Sequence, residues 1–121
     1  MSKGLSVAII TKNEEKHLAR ALESVRFADE IVVVDSGSTD ATLAIARDNG
    51  CRIFERDWPG YGAQKNFALE QASHDWVLSL DADEALSREL SGEVHEVVSG
   101  EKSGYQIYSF PRLTQDRKSV V

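Results

Sequence analysis

The sequence has little of what marks secreted, membrane-spanning or nucleic-acid-binding proteins. Its single cysteine, Cys51, cannot form a disulfide within the chain, which predicts a reducing compartment such as the cytoplasm. No apolar run approaches the roughly 20 residues of a membrane span, and the apolar patch at 5–10 is too short and interrupted for a signal peptide. The net charge of −6 argues against a nucleic-acid-binding module, which usually carries a basic excess.

Chain breakers and biased segments are also scarce. The chain has two prolines, Pro59 and Pro111, and no internal repeat, low-complexity tract or proline-rich linker. Its 121 residues, of which 41% are hydrophobic and 28% charged, correspond to one globular domain with a real core. We therefore expect a single domain over 1–121.

Strand and helix patterns alternate along the chain. Mainly apolar runs are typical of strands in a sheet covered on both faces, and they occur at 5–10, 31–34 and 76–80. A further short strand is predicted at 51–55. Amphipathic or capped segments predict helices at 14–25, 39–49, 63–72 and 87–98, and a last strand is predicted at 104–109. This alternation predicts an α/β fold with a mostly parallel, Rossmann-like sheet flanked by helices.

Helix starts are predicted from capping residues. Thr11 and Glu14 have the spacing of a capping box for the first helix. Ser38 or Thr39 could cap the second helix, and Ser87 is the cap candidate of the last.

Polar clusters follow three of the predicted strands. TKNEE (11–15) follows the first strand, DSGSTD (35–40) the second and DADE (81–84) the fourth. In parallel sheets, ligands bind beyond the carboxyl ends of the strands. The three clusters together therefore predict one ligand site at that edge.

The acidic cluster after the fourth strand needs a compensating charge. Two carboxylates about 4 Å apart repel by about 1 kcal/mol in water and about 4 kcal/mol at an effective dielectric of 20. Asp81 and Asp83 suit a hard divalent cation, Mg²⁺ or Mn²⁺, which takes oxygen ligands and could bridge to a diphosphate. The alternative is a solvated acidic turn that favours the dipole of the following helix.

Other candidate residues each allow two interpretations. Asp35 could take a ribose hydroxyl or a base N–H, or it could fix its own turn. Lys65, which precedes Asn66 at a predicted helix start, could meet a phosphate or be a solvated surface lysine. Trp58 and Tyr61 could stack on a base or sugar, or pack locally.

Four segments together resemble the family-2 glycosyltransferases of GT-A fold. SVAIITKNEE, EIVVVDSGSTDAT, GAQKNFAL and DWVLSLDADE occur in that family's order and spacing over 6–84. The motifs K-N-E and W-x-G-Y-x-x-Q-K-N most resemble those of bacterial lipopolysaccharide core glucosyltransferases. The resemblance implies a nucleotide-diphosphate sugar donor, commonly UDP-linked, Mg²⁺ or Mn²⁺, inversion at the anomeric carbon, and a saccharide or glycolipid acceptor.

The resemblance also implies roles for individual residues. The positions that match the family's nucleotide site are Thr11, Asn13, Glu14, Asp35, Lys65, Asn66 and Asp81. Within this set, Asp35 would bind uracil or ribose, and Lys65 and Asn66 would border the diphosphate. Asp81 would touch the ribose or a metal-bound water, and Asp83 would coordinate the metal.

The sequence departs from the family after Glu84. The family's domain runs to well over two hundred residues, and its later half supplies the acceptor site and the catalytic base. No match to that base motif follows, and residues 85–121 are predicted to be a helix, a strand and a tail. We therefore expect the nucleotide-binding half, which binds nucleotide and metal, transfers sugar poorly or not at all, and self-associates through an exposed sheet edge or apolar patch.

Three other interpretations compete with that of a glycosyltransferase. A non-catalytic nucleotide-sugar-binding module differs from the enzyme only in what is missing after Glu84. A receiver domain needs an acid pair after the first strand, where this chain has Thr11-Lys12-Asn13. A D-x-D phosphatase needs threonine or valine where Ala85 stands. The cytoplasm is the expected location, with the inner membrane face as an alternative.

Overall fold

The computed structural model describes residues 4–99, 108–110 and 118–120. Four strands run parallel: β1 (Leu5–Thr11), β2 (Glu30–Asp35), β3 (Arg52–Glu55) and β4 (Trp76–Ser79). Two short strands, β5 (Tyr108–Phe110) and β6 (Lys118–Val120), extend the sheet beside β4, with β6 parallel to β4 and β5 antiparallel to β6. The order across the sheet is β3-β2-β1-β4-β6-β5.

In the described part of the chain, four helices connect and cover the strands: α1 (Leu18–Ser24), α2 (Thr42–Asp48), α3 (Tyr61–Gln71) and α4 (Arg88–Ser99). The predicted α/β fold with a mostly parallel sheet is confirmed. A sixth strand, β6, was not predicted, and residues 104–107 of the predicted last strand lie outside the described residues. Within the described ranges, no helix has the length and apolarity that crossing a membrane requires.

The sheet is buried on both faces because its side chains alternate between two cores. Val7, Ile9 and Val33 pack in the core that contains Leu18 and Leu22 of α1. On the opposite face, Ala8, Val32 and Val34 pack with Ala68 and Leu69 of α3. Successive strand residues point to opposite faces, so an uninterrupted apolar run such as 31–34 serves both cores.

The predicted capping box of the first helix is wrong. α1 begins at Leu18 rather than Glu14, and its first turn has no side-chain cap. Thr11 is unavailable because its hydroxyl donates to Asp35 Oδ1 at 2.6 Å. The Glu14 N–H donates instead to Thr42 Oγ1 at 2.8 Å.

The second helix also starts later than predicted, whereas the last starts as expected. α2 begins at Thr42, whose N–H donates to Asp40 Oδ1 at 2.9 Å, so neither Ser38 nor Thr39 caps it. The Ser38 hydroxyl is already engaged with Asp35. Ser87 does cap α4, because its Oγ accepts the Leu90 N–H at 3.0 Å.

The partly buried carboxylate of Glu30 joins the amino ends of the strands. Glu30 Oε1 accepts bonds from the Ser6 hydroxyl and the Ser73 N–H, both at 2.8 Å. Glu30 Oε2 accepts from Arg52 Nη1 at 2.7 Å and from the Ser73 hydroxyl at 3.0 Å. One side chain thus ties β1, β2, β3 and the segment between α3 and β4 together. Burial alone would raise the pKa of Glu30, but these donors lower it from 4.5 to about 2.

Strand order fixes where a ligand can bind. β1 pairs with β2 on one side and with β4 on the other. Successive strands are therefore added on one side of β1 up to β3 and on its other side from β4. In open α/β sheets the crevice at such a switch point, beyond the carboxyl ends, is the usual ligand site.

Candidate functional site

The three predicted polar clusters meet at the carboxyl edge of the sheet. Thr11 and Asp35 are paired in register at the ends of β1 and β2. The Leu80 N–H donates to the Ala8 carbonyl at 3.1 Å, which places Asp81 beside the same edge. The structure therefore supports the predicted convergence.

Asp35 is the most completely bonded side chain of the site. It is fully buried, and its two oxygens accept four hydrogen bonds. The donors are the Thr11 hydroxyl at 2.6 Å, the Ser38 hydroxyl at 2.6 Å, the Ser38 N–H at 2.8 Å and the Gly37 N–H at 3.0 Å. A carboxylate has about four acceptor sites, so all of them are in use. Asp35 fixes its own turn, one of the two roles predicted for it.

The charge state of Asp35 follows from these bonds. Burial would raise the pKa of its carboxyl, but the bonds from Ser38, Thr11 and Gly37 outweigh burial and hold the pKa below its usual value. The turn also needs Gly37, whose φ of +90° is unfavourable for residues with a side chain. The carboxylate is therefore ionised at neutral pH and pre-organised.

Segments 12–15 and 36–42 form one hydrogen-bonded unit, which we call the paired loops. Asn13, at a φ of 52°, donates its N–H to Ser38 Oγ at 2.8 Å and accepts the Thr39 N–H at 2.8 Å. Lys12 Nζ donates to the Gly37 carbonyl at 2.7 Å. The Asn13 amide therefore holds the paired loops together.

A second set of bonds closes the paired loops near α2. Asp40 accepts the Glu15 N–H at 3.3 Å and bonds the Thr42 hydroxyl. Burial acts to raise the pKa of Asp40, but the bonds from Thr42 and the Glu15 N–H lower it below its usual value. Asp40 could be noticed from the sequence only as a member of the 35–40 cluster, and Thr42 not at all, because their roles depend on which loop lies opposite.

Lys65 is held against Asp81 rather than exposed as a solvated lysine. Its Nζ lies 3.1 Å from Asp81 Oδ1 and donates to Ser79 Oγ at 3.1 Å. The Tyr61 hydroxyl donates to the same Asp81 oxygen at 3.2 Å. Partial burial acts to lower the pKa of Lys65, but its contacts with Tyr61 and Asp81 raise it overall. Lys65 is therefore a cation with a fixed position.

The remaining acids of the D-A-D-E segment form a turn. The Asp81 N–H donates to Glu84 Oε1 at 3.0 Å, and the Glu84 N–H donates to the Asp81 carbonyl at 2.9 Å. Ala82 between them is buried, whereas Asp83 is exposed. In the part of the chain that the structure describes, no three Asp, Glu, His or Cys side chains cluster to hold a metal. A site here would have one or two carboxylates, the arrangement in which Mg²⁺ keeps waters and phosphates as further ligands.

Comparison with known proteins decides the family. The model of glycosyl transferase family 2 matches residues 6–117. The chain belongs to this family. An uncharacterized glycosyltransferase of Rickettsia typhi is 43% identical over 122 residues, which cover 97% of this chain and 42% of that protein.

Another family member has a more specific name. The lipopolysaccharide core biosynthesis glycosyltransferase LpsC of Rhizobium meliloti is 42% identical over 116 residues, covering 90% of this chain and 43% of LpsC. The chain thus spans about two fifths of the length of these relatives.

Solved structures confirm the GT-A fold. Glucosyl-3-phosphoglycerate synthase of Mycobacterium tuberculosis, in complex with Mn²⁺, UDP and phosphoglyceric acid, matches with a TM-score of 0.66 and 28% identity. That match covers 82% of this chain and 40% of the synthase. A complex of the synthase with Mn²⁺, UDP-glucose and phosphoglyceric acid gives a TM-score of 0.63 at 25% identity. The resemblance to family-2 glycosyltransferases stated from the four sequence segments is confirmed.

Proposed function

We propose that this chain binds a UDP-linked sugar together with Mn²⁺ or Mg²⁺ at the carboxyl edge of β1, β2 and β4. In this proposal it is the donor-binding part of an inverting glycosyltransferase with a saccharide or lipopolysaccharide acceptor. The observation that carries the proposal is the Lys65–Asp81 pair at this edge, with Asp83 exposed two residues further on. The names of LpsC and of the UDP and Mn²⁺ complexes support the choice of ligand and acceptor.

Asp81, Asp83 and Lys65 have the chemistry that a metal diphosphate needs. Asp83 is exposed and offers hard oxygen ligands, and Asp81 is partly exposed beside it. Lys65 Nζ, already aligned by Ser79 and Tyr61, offers a point charge to a phosphate oxygen. A bound divalent cation would neutralise the leaving diphosphate as a Lewis acid. Asn66, exposed next to Lys65, would border the same diphosphate.

The nucleoside would lie against the paired loops. Asn13 and Glu14 lie in these loops, where their N–H groups donate to Ser38 and Thr42. Thr11 directly precedes the loops and donates to Asp35. Asp35 would reach uracil or ribose by exchanging one of its hydroxyl donors for a ligand group. The cytoplasm, or the inner face of the membrane, is the proposed place of action, and the single cysteine agrees with a reducing compartment.

The test is calorimetric titration of UDP into the 121-residue chain, with and without Mn²⁺. Wild type should bind UDP more tightly with Mn²⁺, and Asp83→Ala should weaken the Mn²⁺-dependent affinity about tenfold or more, which is about 1.4 kcal/mol. Asp75→Ala is the matched control, because Asp75 is an exposed acid just before β4, at the opposite edge.

Two outcomes would contradict the proposal. One is a wild-type chain that binds no UDP under either condition, and the other is equal Mn²⁺-dependent binding by wild type and Asp83→Ala. If UDP binds but UDP-glucose is not turned over with saccharide acceptors, the chain is a non-catalytic nucleotide-sugar-binding module.

A further inference from the structure

Gln64 is a buried amide that has no hydrogen-bond partner among the described residues. The residue has no exposed surface, and both its Nε2 and its Oε1 are unpaired. The other such atom in the described part of the chain is Trp76 Nε1, at the start of β4 and therefore at the opposite edge of the sheet. Buried polar atoms are nearly always paired because leaving them unpaired destabilises the fold. Gln64 needs an explanation that packing does not supply.

The position of Gln64 relates it to the candidate site. It lies on the buried face of α3 with Ala68 and Leu69, which packs against the sheet. It is one turn closer to the helix start than Ala68, and thus nearer the carboxyl edge. Long side chains in helices point back towards the N-terminus, so the amide is directed towards the first turn of α3. Its neighbour Lys65 contacts Asp81 and Ser79 at that edge.

The first turn of α3 is open to a ligand. Gly60 precedes the helix with a φ of +117°, and no side chain caps the turn. A Cβ added to Gly60 or Gly62 would meet no atom within 4 Å, so space lies above both residues. Gly60 lies four residues before Gln64 and therefore on the same side of the helix, so changes in the side-chain torsions of Gln64 would carry the amide into the space above Gly60.

The hydrogen-bonding capacity of the amide limits which ligand groups Gln64 could bind. A phosphate oxygen only accepts and would leave Oε1 unpaired, whereas a metal ion would take Oε1 and leave Nε2 unpaired. A hydroxyl, or the imide edge of uracil, donates and accepts and would satisfy both atoms. We infer that Gln64 is a donor-specificity residue that hydrogen-bonds a group of this kind on the nucleotide sugar. This inference rests on the proposed function.

The test combines stability and binding in Gln64→Met, which removes the amide at nearly constant volume. Without ligand, the variant should melt at or above the wild-type temperature, because no buried amide remains unpaired. In the presence of Mn²⁺, its affinity for UDP-glucose should fall about tenfold or more. Gln71→Met, at the far end of the same helix, is the matched control and should bind as wild type does. Gln64→Leu repeats the test with a branched side chain if the methionine variant does not fold.

Separate titrations of UMP, UDP and UDP-glucose locate the group. A loss with all three ligands assigns the contact to the ribose or uracil, and a loss with UDP-glucose alone assigns it to the hexosyl hydroxyls.

If wild type binds and Gln64→Met binds equally well, this inference is overturned and the proposed function stands. If Gln64→Met melts well below wild type with unchanged binding, Gln64 has a structural partner, such as a fixed water, and the inference fails. If wild type binds none of the three ligands, the proposed function fails and the inference fails with it.

Discussion

Two carboxylates, Glu30 and Asp35, hold the opposite ends of β2. Each accepts four hydrogen bonds, and each has a pKa below its ordinary value. The donors around Glu30 come from β1, β3 and the segment that precedes β4, whereas those around Asp35 come from β1 and its own turn. The Glu30 network therefore fastens strands to one another, and the Asp35 network shapes the ligand edge.

At the residue scale, stability should depend on pH through Glu30. Its folded pKa of about 2 lies below the ordinary 4.5, so its stabilisation is complete above about pH 4.5 and is lost as the pH falls towards 2. Glu30→Gln should lower the free energy of unfolding at pH 7 by about 1–3 kcal/mol, because it removes a charged acceptor. The difference from wild type should shrink between pH 4.5 and pH 2.5. Urea unfolding at several pH values measures it.

The matched control is Glu23→Gln. Glu23 pairs with Arg26 at 3.2 Å, but its side chain is 68% exposed. Exposed pairs contribute little, so this change should cost at most about 0.5 kcal/mol. An effect of Glu30→Gln that was equally large at pH 2.5 and pH 7 would show that the charge of Glu30 is not the cause.

Residue roles were only partly predictable from the sequence. Asp35 and Asp81 could be selected because each follows a strand predicted to be buried, and Lys65 because it stands near a predicted helix start after a glycine-bearing loop; the structure places all three at one edge. Gln64 could not be selected, because its importance depends on burial and on missing partners, which the sequence does not show. For the same reason the ion pair between Lys65 and Asp81 was not foreseen, although both residues were named.

At the element scale, the paired loops behave as one structural unit. Thr42 is fully buried, and its hydroxyl accepts the Glu14 N–H while bonding Asp40. Thr42→Val keeps the shape but leaves the Glu14 N–H and one Asp40 oxygen with fewer partners. It should lower the free energy of unfolding by about 1–3 kcal/mol in chemical denaturation.

Thr39→Val is the control for this prediction. Thr39 is exposed, and its hydroxyl makes only a 3.5 Å contact with Asn13. It should change stability by no more than about 0.5 kcal/mol. Equal losses in the two variants would mean that the Thr42 hydroxyl does not join the loops.

Element boundaries were predicted less well than element types. Local capping rules placed the start of α1 at Glu14, but Thr11 and Glu14 bond to Asp35 and Thr42 from the neighbouring loop. Hydrogen bonds to residues distant in sequence therefore replaced the local capping bonds predicted for Thr11 and Glu14. The three-residue strand β6 was missed because its pairing with distant β4 leaves no pattern in so short a segment.

At the scale of the whole molecule, the predicted self-association remains to be tested. The edge strand β3 carries Arg52 and Glu55, which discourage edge pairing. Leu90 of α4 is the better candidate for a contact between copies, because this apolar side chain is 44% exposed. Light scattering should show the average mass rising above the 13.4 kDa monomer as the protein concentration increases. Leu90→Glu should reduce this rise.

Ala44→Glu controls for the added charge, because Ala44 is an exposed residue of α2. It should leave the association unchanged. A monomer at all concentrations, without binding of an apolar dye, would refute the prediction.

The sheet order also implies a sequence of events during folding. The partners of β1 in β2 are near in sequence, as Ser6 and Glu30 are, whereas its partners in β4 are distant, as Leu5 and Trp76 are. Closing a longer loop costs more entropy and slows long-range pairing, so the β1–β2–β3 unit can assemble before β4 arrives. The Asp35 turn would then be complete before Asp81 and Lys65 meet. Under the proposed function, nucleotide and metal would bind only the last species on the pathway, so they would slow unfolding without accelerating folding.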